Sequence, residues 1–145
     1  MKKSLVKKIF IALVMAFVFL MGVMFSMGEI EGFKDYARIS FFTAGVIFLV
    51  LAIALVVLTF KSELKGKLKK FLLITGFSAI GMPIFSVLHN LVYGLFIVIF
   101  GEDFWETNGM PDEPLFFILA VIVCPIAFIV GMIGSIILFV KNNNK

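Results

Sequence analysis

Four long apolar runs, separated by short polar connectors, occupy most of the chain. The runs cover residues 9–27, 39–60, 71–100 and 115–140, and none of them contains Asp, Glu, Lys or Arg. About 20 apolar residues in a helix cross the roughly 30 Å of hydrocarbon in a bilayer, so each run is long enough to span a membrane. The pattern predicts one all-α domain over residues 1–145, built as a four-helix transmembrane bundle.

The composition excludes an ordinary soluble domain. Hydrophobic residues make up 62% of the 145 residues and charged residues only 15%, whereas soluble domains are about 45–50% apolar. A bilayer resolves this mismatch because lipid can solvate the outward apolar faces. The abundance of Phe, Ile and Lys favours a prokaryotic source, so we expect a multi-pass protein of a prokaryotic plasma membrane.

The polar segments alternate in the sign of their charge. The N-terminal segment, the connector 61–70 and the C-terminal tail together carry +10, and the connectors 28–38 and 101–114 together carry −6. Positively charged residues in short loops are retained in the cytoplasm. We therefore predict that both termini and the basic connector are cytoplasmic, an N-in/C-in topology.

The first apolar run has a second interpretation, because a basic start followed by an apolar run also begins a signal peptide. Ser26 and Gly28 would suit the small positions of a cleavage site. However, the run of residues 9–27 is longer than the usual apolar region of about 7–15 residues. We expect an uncleaved first span, and the topology of the other spans is the same in either case.

The fourth run carries small residues at helical spacings of four and three, which place them on one face. Membrane helices pack closely through small residues, since lipid removes the hydrophobic drive between helices. We predict that this stripe is a packing seam within the bundle, with an interface between copies as the alternative. The stripe consists of Ala120, Cys124, Ala127, Gly131 and Gly134.

The third run holds a polar cluster within its apolar length. Ser86, His89, Asn90 and Tyr93 fall within one wedge of a helix. Polar side chains are costly in hydrocarbon, so we expect them to turn inward and find partners. The cluster therefore marks the third helix as the one to examine for function.

Two prolines lie inside the apolar runs and are predicted to kink their helices. Pro83 interrupts the third run, and Pro125 interrupts the fourth and frees the carbonyl of Val121. Helical rise places His89 at a similar depth to that carbonyl, which permits a hydrogen bond between them across the bundle.

His89 has three interpretations. The favoured one is a neutral side chain whose interhelical hydrogen bond fixes packing. The second is a proton or substrate site in a cavity, because intramembrane ionisable groups often mark pathways. The third is a metal ligand or catalytic base, which is disfavoured because no second His and no carboxylate lies within the spans. The sequence predicts no metal, no cofactor and no catalytic residue.

The connectors predict contacts with water and lipid. The acidic segment GEDFWETNGMPDEP matches no calcium-binding spacing, so we expect a solvated loop with Phe104 and Trp105 as interfacial anchors. The basic connector suits anionic lipid headgroups, which attract each nearby Lys by about 1 kcal/mol. Topology already explains these charges, so a nucleic-acid partner is not expected. The basic residues are Lys61, Lys65, Lys67, Lys69 and Lys70.

Two classes of function fit these observations. The first is a non-enzymatic membrane protein that acts by interaction, as an accessory or immunity-type factor with a membrane-protein partner. The alternative is a small oligomeric transporter or channel with the third helix lining the path, through Ser86, His89, Asn90 and Tyr93. Short connectors and the lack of a nucleophile constellation disfavour an enzyme.

Overall fold

The computed structural model describes residues 2–26, 34–110 and 112–143. Within these ranges the chain is helical apart from short connectors, and no strand is present. Four helices are long and apolar enough to cross a membrane, which confirms an all-α four-helix bundle. The helices are α1 (Lys2–Ser26), α2 (Lys34–Lys61), α3 (Gly66–Phe100), α4 (Phe104–Thr107), α5 (Pro114–Ile118) and α6 (Cys124–Asn143).

Three of the long helices begin several residues before the apolar runs that predict them. α1 begins at Lys2, α2 at Lys34 and α3 at Gly66. Lysine is a good helix former, so a helix can continue through a terminal turn that contains it. α3 ends at Phe100. The next residue, Gly101, has a φ of 100°, a conformation that glycine adopts readily, and its N–H donates to the carbonyl of Ile97 at 2.9 Å.

The bundle is a ring of four long helices closed by aromatic side chains. α1 packs on α2, α2 on α3, and α3 on α6. The ring closes where Phe10 of α1 meets Phe139 of α6, with ring centroids 5.6 Å apart. Deeper in the bundle, the fully buried ring of Phe128 lies 4.5 Å from Phe17 and 6.0 Å from Phe48. Aromatic rings therefore fill the space between α1, α2 and α6.

The small residues of the fourth run lie along its contact with α3. A Cβ atom at Gly131 would stand 2.7 Å from the backbone nitrogen of Thr75 and 3.0 Å from the carbonyl oxygen of Phe71. A Cβ atom at Gly134 would meet the Phe71 ring, and one at Gly81 of α3 would meet the Cys124 sulfur at 2.7 Å. Ala120 and Cys124 are buried and Ala127 is half-buried. Glycine thus lets two backbones approach in a way that a larger residue would prevent.

The two intramembrane prolines have different surroundings. Pro83 lies inside α3, which remains helical from Gly66 to Phe100. Pro125 follows a π-helical turn over Leu119–Val123, in which the Cys124 N–H donates to the Leu119 carbonyl. Because proline has no N–H to donate, a turn with an altered hydrogen-bond pattern is a usual accommodation next to it.

The predicted N-in/C-in topology can be tested by labelling two exposed connector positions. Lys65 and Asn108 lie at opposite ends of α3. In a Cys124→Ser background, we expect Asn108→Cys to react with an impermeant maleimide in intact cells, and Lys65→Cys to react only after permeabilisation. The two cysteines are predicted to lie on opposite sides of the membrane, which the maleimide cannot cross. The reverse labelling pattern would therefore contradict the predicted orientation.

Candidate functional site

The polar cluster of the third run divides into an inward pair and an outward pair. His89 and Tyr93 are partly buried and face the connector that follows α3, whereas Ser86 and Asn90 are exposed. The Ser86 hydroxyl donates to the Met82 carbonyl at 2.8 Å, and the Asn90 amide donates to the Ser86 carbonyl at 2.8 Å. The expectation that all four turn inward is therefore wrong for Ser86 and Asn90, which are satisfied in part by their own helix.

His89 lies against two carboxylates that follow in the sequence by more than twenty residues. Its Nδ1 is 3.0 Å from the Glu113 carbonyl oxygen and 3.4 Å from Glu113 Oε2. Its Nε2 is 3.4 Å from Asp112 Oδ2. The Phe117 ring packs on the imidazole with a centroid separation of 5.5 Å. Both ring nitrogens thus face oxygen atoms of the chain that precedes α5.

Glu113 is held in this position as the cap of α5. Its Oε1 accepts from the Leu115 N–H at 2.8 Å and its Oε2 accepts from the Phe116 N–H at 3.0 Å. The Glu113 N–H in turn donates to Asp112 Oδ1 at 2.7 Å. A carboxylate at a helix N-terminus is stabilised by the free N–H groups and by the helix dipole. These contacts explain how a charged residue that is only 5% exposed is tolerated here.

The partner of His89 differs from the one that helical rise permits. The carbonyl partner belongs to Glu113 and not to Val121, whose side chain is 54% exposed. The contacts of Gly131 with Thr75 and of Cys124 with Gly81 fix how α6 slides along α3. In that register His89 lies beside the beginning of α5 and meets carboxylates that stand just outside the apolar run.

An aromatic cluster joins the far end of α3 to the connector. The Trp105 indole stacks on Tyr93 with centroids 5.7 Å apart, and its Nε1–H donates to the Tyr93 carbonyl at 3.3 Å. Phe96 and Phe104 pack against the same indole. Trp105 is 6% exposed, so its ring anchors the connector to α3. Its position at the membrane interface stays a prediction.

No metal site is formed by the residues that the structure describes. Among them, no group of three or more His, Cys, Asp or Glu side chains is arranged to hold a metal ion.

Four lysines of the basic connector are exposed, and the fifth, Lys69, places its ammonium group 5.7 Å from the centroid of the Phe60 ring. Their binding to anionic headgroups remains a prediction.

An apolar groove lies between α1 and α2. Met15 and Phe19 of α1 line it on one side, and Ile39 and Ile47 of α2 line it on the other. These four side chains are exposed, so the groove opens outward. It does not involve His89 or the other residues of the polar cluster.

Comparison of the chain with models of protein families, with curated proteins and with solved structures finds no match. Sequence reasoning missed Asp112 and Glu113, although a Glu before a Pro at the start of an apolar run is a recognisable helix-start signal.

Proposed function

We propose that this protein is a non-enzymatic membrane protein that acts by binding another membrane protein, as an accessory or immunity-type factor of a prokaryotic plasma membrane. The observation that carries the proposal is the outward position of Ser86 and Asn90 on α3. These are polar side chains on the surface that a membrane bundle presents to lipid, and neither helps to hold this bundle together.

The proposed binding surface, named here the exposed α3 face, has an apolar stripe beside these polar residues. Val98 is 83% exposed, the most exposed large hydrophobic residue of the described chain, and the other apolar members of the face are at least half exposed. Spacings of three and four make the stripe continuous along one side of the helix. The face consists of Ser86, Val87, Asn90, Leu91, Leu95 and Val98.

Asn90 is the residue most expected to select a partner helix. Ten residues follow it before α3 ends at Phe100, and none of them is charged, so the amide lies within the apolar length of the helix. Its Nδ2 donates to Ser86, which leaves the acceptor oxygen and a second N–H for a neighbour. An interhelical hydrogen bond of this kind contributes about 1–2 kcal/mol in model peptides and about 0.6 kcal/mol on average in a folded membrane protein.

The packed interior of the bundle favours an interaction role over a pore that runs through a single copy of the chain. Phe17, Phe48 and Phe128 pack against one another where α1, α2 and α6 meet. The only described contacts of His89 with ionisable groups are with Asp112 and Glu113, and no nucleophilic side chain takes part in them. We therefore expect no enzymatic activity.

The exposed α3 face also supports the alternative of a small oligomeric transporter or channel. Because Ser86 and Asn90 point away from the bundle, such a path would run between copies, with α3 of each copy lining it. His89 and Tyr93 would then lie at one side of that path, beside the connector. A second copy on the exposed α3 face is what this alternative requires.

Site-specific photocrosslinking in intact cells tests the proposal. A photoreactive residue at position 91 should give one crosslinked product whose mass differs from twice that of the chain, and Asn90→Leu should reduce its yield several-fold. A photoreactive residue at Ile53 of α2, which is 46% exposed, is the matched control and should not give this product.

The other crosslinking outcomes either support the oligomeric alternative or contradict the proposed contact. A product of twice the chain mass would support the oligomeric alternative, and ion or proton flux in proteoliposomes that is lost with Asn90→Leu would establish it. Products of equal yield from positions 91 and 53, or a yield that Asn90→Leu does not change, would contradict a specific contact at the exposed α3 face.

A further inference from the structure

We propose that the interior of the bundle has a binding site for a water molecule between Thr59 of α2 and Ser135 of α6. The inference is independent of the partner proposed above. It starts from the hydroxyl groups of these two residues, which are fully buried and have no hydrogen-bond partner among the residues that the structure describes. Burying an unpaired hydroxyl costs free energy, so buried polar groups are normally bonded to protein or to ordered water.

Three other hydroxyl groups of the spanning helices are bonded within their own helix. Thr43, Thr75 and Ser86 each donate to the carbonyl four residues earlier, at 2.9, 2.9 and 2.8 Å. Thr59 and Ser135 do not make this bond. Their hydroxyl groups therefore keep their full bonding capacity for a group inside the bundle.

Contacts of α6 with α3 fix the level of Ser135 along the bundle. A Cβ atom at Gly134 would stand 2.5 Å from the Phe71 ring, and one at Gly131 would stand 2.6 Å from the Thr75 hydroxyl. Ser135 follows Gly134 directly, so it lies near the level of Phe71. Its side chain is 0% exposed and therefore points into the bundle.

Contacts of α2 with α3 place Thr59 at a similar level. A Cβ atom at Gly76 would stand 2.5 Å from the Val56 side chain. A short connector joins α2 to α3, so the two helices run in opposite directions. Thr59 follows Val56 by three residues and is displaced by about 4.5 Å from Gly76 toward Phe71, which lies about 7.5 Å from Gly76. The two hydroxyl-bearing residues thus lie within about one helical turn of each other along the bundle axis.

The chemistry of the site suits water better than a cation. A hydroxyl has one donor and two acceptor lone pairs, so water can bond to it in either direction. No acidic residue occurs in α1, in α3 or in α6, and the one in α2, Asp35, lies at the opposite end of that helix from Thr59. A metal ion at this level would therefore have no carboxylate to balance its charge.

Thermal unfolding of the full-length protein in one detergent tests the proposal through the sign of a change. Thr59→Val keeps the shape of the side chain and removes its hydroxyl, and Ser135→Ala removes the other hydroxyl. Each should lower the unfolding midpoint by about 2–4 °C, because a bonded partner is lost. Removal of a hydroxyl that has no partner at all would instead raise the midpoint.

The double variant tests whether the two hydroxyl groups share one water molecule. Its loss should be smaller than the sum of the single losses, because either substitution already weakens the shared site. Thr43→Val is the matched control, since that hydroxyl is exposed and bonded within its own helix, and it should leave the midpoint nearly unchanged.

Circular dichroism of each variant would verify that its helices remain, and the losses should be the same in sodium chloride and in choline chloride. A midpoint that stays or rises in either single variant, additive losses in the double variant, or losses that occur only with sodium would each overturn the proposal.

Discussion

Replacing Phe128 with alanine is expected to lower the free energy of unfolding by about 3–5 kcal/mol, the usual cost of truncating a buried Phe. Phe128 is fully buried, and its ring contacts Phe17 of α1 and Phe48 of α2. Inside a membrane bundle the loss comes mainly from missing van der Waals contacts around the new cavity, since lipid offers no hydrophobic drive to refill it.

Unfolding of the purified protein in one detergent, followed by circular dichroism, measures this loss. Phe42→Ala is the matched control, because Phe42 is 70% exposed and its ring is therefore not packed inside the bundle. A similar loss in both variants would mean that the three rings are not the centre of the bundle.

A side chain at Gly131 is expected to force α3 and α6 apart. The contacts that a Cβ atom would make are mostly with backbone atoms of Thr75 and Phe71, which cannot move aside as a side chain can. Overpacking commonly costs about 1–3 kcal/mol, and Gly131→Leu should reach or exceed the top of that range. Gly131→Ala should already be destabilising.

Two control variants separate this steric effect from the general effect of losing a glycine or gaining a leucine. A Cβ atom added at Gly45 of α2 would have no heavy atom within 4 Å. Gly45→Ala should therefore leave the free energy of unfolding unchanged or raise it by about 0.5–1 kcal/mol. Ile129→Leu changes an exposed residue beside the seam and should be mild. Equal thermal stability of Gly131→Ala and Gly45→Ala would refute a tight seam.

The fold could be predicted because each spanning helix has to be apolar over a length set by the bilayer. That constraint acts on every residue of a run, so the four runs stand out without any knowledge of tertiary contacts. The exact helix ends could not be predicted in the same way. The terminal turns at Lys2, Lys34 and Gly66 lie outside the apolar length, where hydropathy carries no information.

The site around His89 was only half predictable. Helical periodicity placed Ser86, His89, Asn90 and Tyr93 on one wedge, but it could not indicate which edge of the wedge meets a neighbour. That choice depends on how far α6 slides along α3, which is set by contacts at Gly131 and Cys124. The same register brings Glu113 to His89, a pairing across 24 residues that no local pattern encodes.

The π-helical turn over Leu119–Val123 sets the angular phase of the fourth span. Successive residues of an α-helix advance by about 100° around the axis, and a π-helical turn accommodates one additional residue. The segment before Leu119 is therefore rotated by about that angle relative to a continuous helix. α3 therefore contacts two surfaces of the fourth span that point in different directions around the helix axis. The glycines provide the contact after the turn, and Glu113 and Phe116 provide the contact before it.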